Sequence, residues 1–274
     1  MQNRTDIDLK GVPQTLLLPL IGRAKLSQEK YSPIKDEKAI ELVNTLNYDF
    51  EKLLTIAIVK QTSLIFMARA YQFDEAIKTY LKKYPDAVIV NLGCGLDTTF
   101  HRIDNGHLTW VDIDFPNVMD LRERLLPPTQ RQIYIKSSVL DYSWMDKVKS
   151  LGTNFFFFAG GLFMYFTNDQ VKSLFTTMAN QFPNANLIFD NIPLRKLKSA
   201  NVMLQKSGMK DALLQWSIAD GKKLEEWSPK IKLSYQYGLF KNIKGKYPFP
   251  LTHQLWMYYT DFLDKSEIVH LKFG

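Results

Sequence analysis

The chain is poor in cysteine, with one residue, Cys94, among 274. A single thiol excludes an internal disulfide and leaves no cysteine cluster for zinc. It also fits a reducing compartment, so the expected location is cytoplasmic. Long hydrophobic runs are missing as well. The longest, residues 155–166 with two glycines, is about a dozen residues, well short of the roughly 20 that a spanning helix requires. No membrane association is expected. No secretory leader is visible, because the first residues are polar and the apolar stretch 16–21 is short and interrupted by Pro19. No block of lysine and arginine carries interleaved aromatics, so the net charge of +7 predicts a scattered basic surface and no nucleic-acid groove. That charge remains compatible with an acidic substrate. Internal repeats and low-complexity tracts are lacking too.

What is present is concentrated in residues 88–114. Val88-Ile89-Val90-Asn91-Leu92 is a short run rich in β-branched residues, ended by Gly93-Cys94-Gly95. It reads as a buried parallel strand running into a tight turn. Asp97-Thr98-Thr99 then supplies helix-start chemistry. A second strand is expected over 108–113, and the acids Asp112 and Asp114 stand at its end. Strand, glycine turn, helix, strand and acid make up the nucleoside-binding half of a doubly wound sheet. The glycines allow a ligand close to the backbone. The acid, about 20 residues past the first glycine, is placed to accept from ribose hydroxyls. The third glycine of G-x-G-x-x-G is missing, and Thr98 stands there. That shifts weight from a dinucleotide to a nucleoside ligand without a pyrophosphate, such as S-adenosylmethionine. The turn is expected to be open enough to receive it. Cys94, with no base near it in sequence, reads as packing rather than as a nucleophile.

The rest of the chain extends the α/β pattern. Residues 1–84 read as mostly helical, with one helix from Asp36 through Leu46 and apolar spacing over 50–70 and again over 73–81. They are expected to form a helical cap packed on a core of residues 85–274. Further strands are expected at 132–136, 155–158, 185–189, 231–237 and 268–273, and helices at 115–126, 167–181, 221–227 and 253–263. A helical insertion over about 195–216 has the placing of a lid.

The run Val90-Asn91-Leu92-Gly93-Cys94-Gly95-Leu96-Asp97-Thr98, followed by Asp112-Ile113-Asp114-Phe115-Pro116, resembles the leucine carboxyl methyltransferase family, including its bacterial polyketide-type O-methyltransferases. Weaker matches are Arg23-Ala24-Lys25, Met67-Ala68-Arg69, Asp141, and Gly160-Gly161-Leu162-Phe163-Met164-Tyr165. The resemblance implies a Rossmann-like class I methyltransferase with a mostly parallel sheet of seven strands, binding S-adenosylmethionine. It places Gly93, Cys94 and Gly95 along the cofactor, Asp114 on the ribose with Asp112 as the near alternative, and Asp141 and Tyr142 beside the adenine. Arg69 and Lys25 would meet the methionine carboxylate. One departure stands out: the family has an acid where this chain has Gly160. That acid would neutralise the cofactor's ammonium, and here a backbone carbonyl or water would have to serve.

The expected reaction is O-methyl transfer to a small-molecule carboxylate, which is ionised at neutral pH and needs no general base. A phenolic acceptor would need one, and His253 is the first choice among His101, His107, His253 and His270. Tyr165, Trp216 and Tyr237 are candidates for lining the acceptor cavity or for plain core. Two rival readings stand beside this one. Gly160 favours a non-catalytic or weakly active nucleoside-binding protein of the same fold. The glycine turn alone also fits a nicotinamide-dependent oxidoreductase, which the missing third glycine disfavours. The sequence leaves the oligomeric state open.

Overall fold

Parallel strands followed by helices set the architecture of the computed structural model, which describes residues 5–6, 14–50, 57–206, 213–243, 245–264 and 266–274. The sheet strands are β1 (Val88–Leu92), β2 (Thr109–Asp114), β3 (Gln132–Lys136), β4 (Phe155–Ala159), β5 (Asn186–Asn191), β6 (Ile231–Gly238) and β7 (Glu267–Phe273). They lie in the order β3-β2-β1-β4-β5-β7-β6. The first five are mutually parallel, while β7 runs antiparallel to both β5 and β6. In register, Val90 lies opposite Val111 on one side and Phe157 on the other. β1 and β4 are buried along their whole length, as apolar runs covered on both faces must be. The expected seven-stranded α/β sheet is therefore the one observed.

Each face has its own core. On one, Val90, Val111 and Phe157 pack against Trp144 and Val148 of α6 (Trp144–Lys149) and Leu174 and Phe175 of α7 (Asn168–Gln181). Thr167 caps α7 and forms a reciprocal capping box with Gln170. On the other face, Ile89, Trp110 and Phe158 pack against Met67, Phe73 and Ile77 of α3 (Ala57–Lys83) and Phe100 of α4 (Thr99–Ile103).

The N-terminal helices α1 (Leu17–Ser27) and α2 (Glu37–Thr45) share a third apolar cluster with Leu96 and Leu126 of the sheet domain. Asp36 caps α2 by accepting the Ala39 amide at 3.1 Å. The two apolar stretches expected over 50–70 and 73–81 are, within the described residues, parts of the single helix α3. No glycine or proline interrupts it. Leu53, Leu54 and Ile56, on which part of that reading rested, lie outside the described residues.

The insertion differs from expectation. Its helix, α8, spans Leu194–Lys206, and residues 213–218 form no helix or strand. That segment trades a helical ladder for bonds to the sheet domain: the Gln215 and Trp216 amides donate to the Met164 carbonyl, and Asn191 brackets Ile218. Trp216 is consequently core, 4% exposed and packed against Phe175 and Phe189. The final helix, α9 (Leu251–Tyr259), runs on into a π-helical turn over Thr260–Asp264.

Candidate active site

Glycine chemistry shapes the end of β1. Gly93 and Gly95 have φ of +65° and +48°, a region costly for residues carrying a Cβ. The Gly93 and Cys94 amides both donate to the Ile113 carbonyl, at 2.8 and 3.2 Å, which folds the turn back over β2. The bend is less open than expected. A Cβ on Gly93 would lie 2.7 Å from Leu162 Cδ1, and one on Gly95 would lie 2.5 Å from Leu16 Cδ2. Two leucine side chains therefore rest on the glycines, one from the 3-10 turn Gln14–Leu16 and one from the segment after β4. A ligand reaching the turn displaces these flexible apolar tips rather than backbone.

Asp114 sits where β2 ends and faces this turn. It accepts the Gly95 amide at 2.8 Å on one oxygen and the Phe115 amide at 2.8 Å on the other. Burial pushes its carboxyl up, and the two amides pull it back down. Each oxygen keeps a further lone pair, and the residue is only partly buried.

Asp112 shares the strand face but not the role. It is fully buried, with Arg122 of α5 (Pro116–Leu125) on one oxygen at 2.9 Å and the Trp110 indole on the other at 2.9 Å. Both oxygens are committed to the core, so of the two acids only Asp114 keeps lone pairs turned towards the glycine turn. Arg122 Nη1 also donates to the Gly95 and Asp97 carbonyls, at 2.9 and 2.8 Å, and pins the turn from beneath.

Cys94 is held within the turn. Its amide and carbonyl are used within the turn, and its thiol lies 3.5 Å from the Met119 sulfur. Burial pushes that thiol well above its ordinary range, which fits the packing role read from the sequence.

Thr98 explains the missing third glycine. It is buried, and its hydroxyl donates to the Asp36 carboxylate, 2.8 and 2.6 Å from the two oxygens. Asp36 also takes Arg23 Nε at 2.9 Å and Arg102 Nη1 at 2.6 Å, and Arg102 forks onto Asp74 at 2.7 and 2.9 Å. This buried cluster bolts α1, α2, α3 and α4 together behind the glycine turn. In the Arg23-Ala24-Lys25 match, the residue turned inward is therefore Arg23. Lys25 is partly buried on α1, and among the described residues its ammonium has no partner.

Arg69 and Gly160 do come together. The Arg69 guanidinium lies across the end of β4, with Nε 3.3 Å from where a Cβ on Gly160 would be and Nη1 2.8 Å from one on Gly161. Its Nη1 donates to Asp190 Oδ2 at 2.9 Å, and Asp190 Oδ1 accepts the Gly161 amide at 2.6 Å. Asp190 is the last but one residue of β5 and was not among the residues singled out from the sequence. Tyr165 is close enough to this pair to feel both charges, and burial raises its phenol.

Asp141 is exposed in the turn after β3, where it accepts the Ser143 amide at 3.2 Å. Tyr142 is turned towards α7, with its hydroxyl 2.9 Å from that of Ser173, and its carbonyl accepts the Met145 amide at 3.0 Å. Tyr237 packs against the core beside α3. Among the described residues no cluster of His, Cys, Asp and Glu is arranged for a metal ion, and no helix is long and apolar enough to cross a membrane.

A mostly parallel sheet whose last strand inserts antiparallel before its neighbour, with a glycine turn and an acid at the ends of adjacent strands, defines a Rossmann-like methyltransferase fold. The chain belongs to the leucine carboxyl methyltransferase family, whose model matches residues 18–179. It is therefore a methyltransferase that uses S-adenosylmethionine, and the nicotinamide reading is set aside.

Among curated proteins, it is 29% identical over 236 residues to the tetracenomycin polyketide synthesis O-methyltransferase TcmP of Streptomyces glaucescens, covering 85% of each chain. It is 25% identical over 194 residues to the S-adenosyl-L-methionine-dependent methyltransferase dpfgK of Gibberella zeae, covering 66% of this chain and 65% of that one. A solved structure of a candidate methyltransferase from Thermobifida fusca superposes with a TM-score of 0.59 at 12% identity, covering 90% of this chain and 97% of that one. That likeness shows the fold alone.

Proposed function

We propose that the chain methylates a carboxylate oxygen of a small molecule, with the strand ends of β1, β2, β4 and β5 forming the cofactor edge. One observation carries this reading: that edge holds acids, an arginine and glycines, and no histidine among the described residues. His107 precedes β2 at the opposite edge of the sheet, His270 lies mid-strand opposite Ile188, His253 packs against Tyr31, and His101 is exposed on α4. A carboxylate needs no proton removed before it attacks, so an edge without a histidine suits it. The relative from Streptomyces glaucescens, named an O-methyltransferase of polyketide synthesis, supports oxygen as the acceptor atom and a small molecule as its carrier.

The residues present fit the cofactor. The glycines admit its backbone-hugging side, Asp114 keeps lone pairs for the ribose hydroxyls, and Arg69 has donors to spare for a carboxylate. A charge-assisted bond of that kind contributes about 1.5–3 kcal/mol. When bound, S-adenosylmethionine supplies an electrophilic methyl group. The chain's part is then to hold the acceptor oxygen in line, keep water out and balance charge. In this reading α1 and α2 form the cap, and α8, whose Leu197 packs with Met164 and Leu214, roofs the acceptor cavity. The net charge of +7 attracts an acidic acceptor.

The test is product chemistry. Radiolabelled methyl transferred to a panel of aromatic and aliphatic acids should be released as volatile methanol in mild base, as a methyl ester requires. Label that survives base, as an ether does, would overturn the carboxylate reading.

A further inference from the structure

We infer that Asp190 is the acid that receives the cofactor's ammonium, and that with Arg69 it forms a split-charge seat for an amino-acid zwitterion; this rests on the cofactor edge proposed above. Gly160 and Gly161 leave the end of β4 without an acid of its own. The geometry shows why that position is empty of side chain. The Arg69 guanidinium lies over Gly160 and Gly161, in the space that a side chain would occupy. The nearest carboxylate instead comes from the next strand. Asp190, at the end of β5, reaches back to the Gly161 amide at 2.6 Å and to Arg69 at 2.9 Å.

The pair is not saturated. A carboxylate has about four lone-pair sites, and Asp190 uses two; a guanidinium has five N–H donors, and Arg69 gives one to Asp190. Both side chains are 11% exposed, so they are screened from bulk water yet still border a surface. They also adjoin the glycine turn, because Leu162, the residue after Gly161, is the side chain resting on Gly93.

Charge matching follows from this arrangement. A lone arginine here would attract the cofactor's carboxylate and repel its ammonium. A lone aspartate would do the reverse. The pair offers an anion and a cation side by side, which is the complement of a zwitterion whose ammonium and carboxylate are bonded to one carbon. Binding exchanges one internal ion pair for two external ones and leaves no buried charge uncompensated. Methionine-derived nucleosides should therefore be distinguished by their amino-acid end, in a chain that looks from sequence as though it had lost that contact.

The test pairs a protein change with ligand changes, read by calorimetry. S-adenosylhomocysteine, its deaminated analogue and 5′-methylthioadenosine, which lacks the amino-acid end, are titrated into the wild type, Asp190→Asn and Asp190→Glu. The wild type should bind S-adenosylhomocysteine at least about tenfold more tightly than the deaminated analogue. Asp190→Asn should lose that preference and leave 5′-methylthioadenosine unchanged, and Asp190→Glu should restore part of it. A crystal structure of the wild type with S-adenosylhomocysteine should place the ammonium about 3 Å from an Asp190 oxygen, a readout that stands even if the variants fold poorly. Equal weakening of all three ligands, or an ammonium held elsewhere in the crystal, would overturn the assignment to Asp190 and leave the cofactor edge standing. Failure of the wild type to bind any of the three would overturn the edge itself.

Discussion

Asp112 and Arg122 meet at 2.9 Å with 0% and 1% of their side chains exposed, beneath the turn that Asp114 faces from above. Of two acids on one strand face, one is thus committed to the core and the other, in the proposed reading, to the cofactor. Asp112→Asn leaves the Arg122 charge buried without its counter-charge, so it should destabilise the fold by about 3–5 kcal/mol. Asp114→Ala should unfold at nearly the wild-type denaturant midpoint and bind S-adenosylhomocysteine at least about tenfold more weakly. Urea titration and calorimetry on both variants separate the roles. A stable Asp112→Asn that loses binding would reverse them.

That division marks where the sequence stopped being informative. The strands were legible because short β-branched or aromatic runs between turn residues have few other uses, and residues 132–136 were placed as Gln132–Lys136 is observed. Residue parity put Asp112 and Asp114 on one face but could not tell depth, since two residues along a strand change it by nearly 7 Å. The Arg69–Asp190 pair spans 121 positions, and no local pattern encodes it. Thr98 was legible as helix-start chemistry and as a missing glycine, not as a buried partner of Asp36. Its partner Asp36 was legible as a helix cap, yet nothing local showed that the same carboxylate also gathers Arg23 and Arg102.

The glycine turn should tolerate a methyl group unequally. Gly93→Ala and Gly95→Ala meet both a positive φ and a leucine tip, so each should cost about 1–2 kcal/mol in backbone strain alone. Gly160 has neither a positive φ nor a backbone neighbour, only Phe73 and Arg69 side-chain atoms at 3.2–3.5 Å. Gly160→Ala should therefore melt closer to the wild type than the other two. Thermal melts of the three variants decide it, and a Gly160→Ala that melts lowest would mean that the Arg69 guanidinium cannot move aside.

The buried cluster behind the turn should govern acid stability at low pH. Burial pushes the Asp36 carboxyl up, but Arg102, Arg23 and the Thr98 hydroxyl outweigh it and hold it at about 2. The folded value lies below the unfolded one, near 3.9, so this stabilisation is complete above about pH 4 and is lost as pH falls towards 2. The difference amounts to about 2 kcal/mol. Asp36→Asn should be less stable at pH 7 and should show a shallower loss between pH 4 and 2. Parallel curves for the two proteins across that window would show that Asp36 is not the group responsible.

His270 should act in a separate window above that one. Its ring lies between Phe156 and Tyr235, with Nε2 3.0 Å from Asn186 Oδ1. Burial lowers its pKa to about 4, so the folded protein keeps the imidazole neutral where the unfolded chain, titrating near 6.5, takes up a proton. Stability from this residue is therefore complete above pH 6.5 and falls as pH drops to 4, by at most about 3 kcal/mol at 1.36 kcal/mol per unit. His270→Gln retains a donor for Asn186 and removes the titration. Its unfolding free energy should be flatter than the wild type's between pH 6.5 and 4, while both proteins still share the Asp36-dependent loss below pH 4. Because the two windows do not overlap, one series of denaturant titrations from pH 7 to pH 2 measures both groups. Identical slopes for wild type and variant above pH 4 would mean that water reaches the imidazole between β5 and β6.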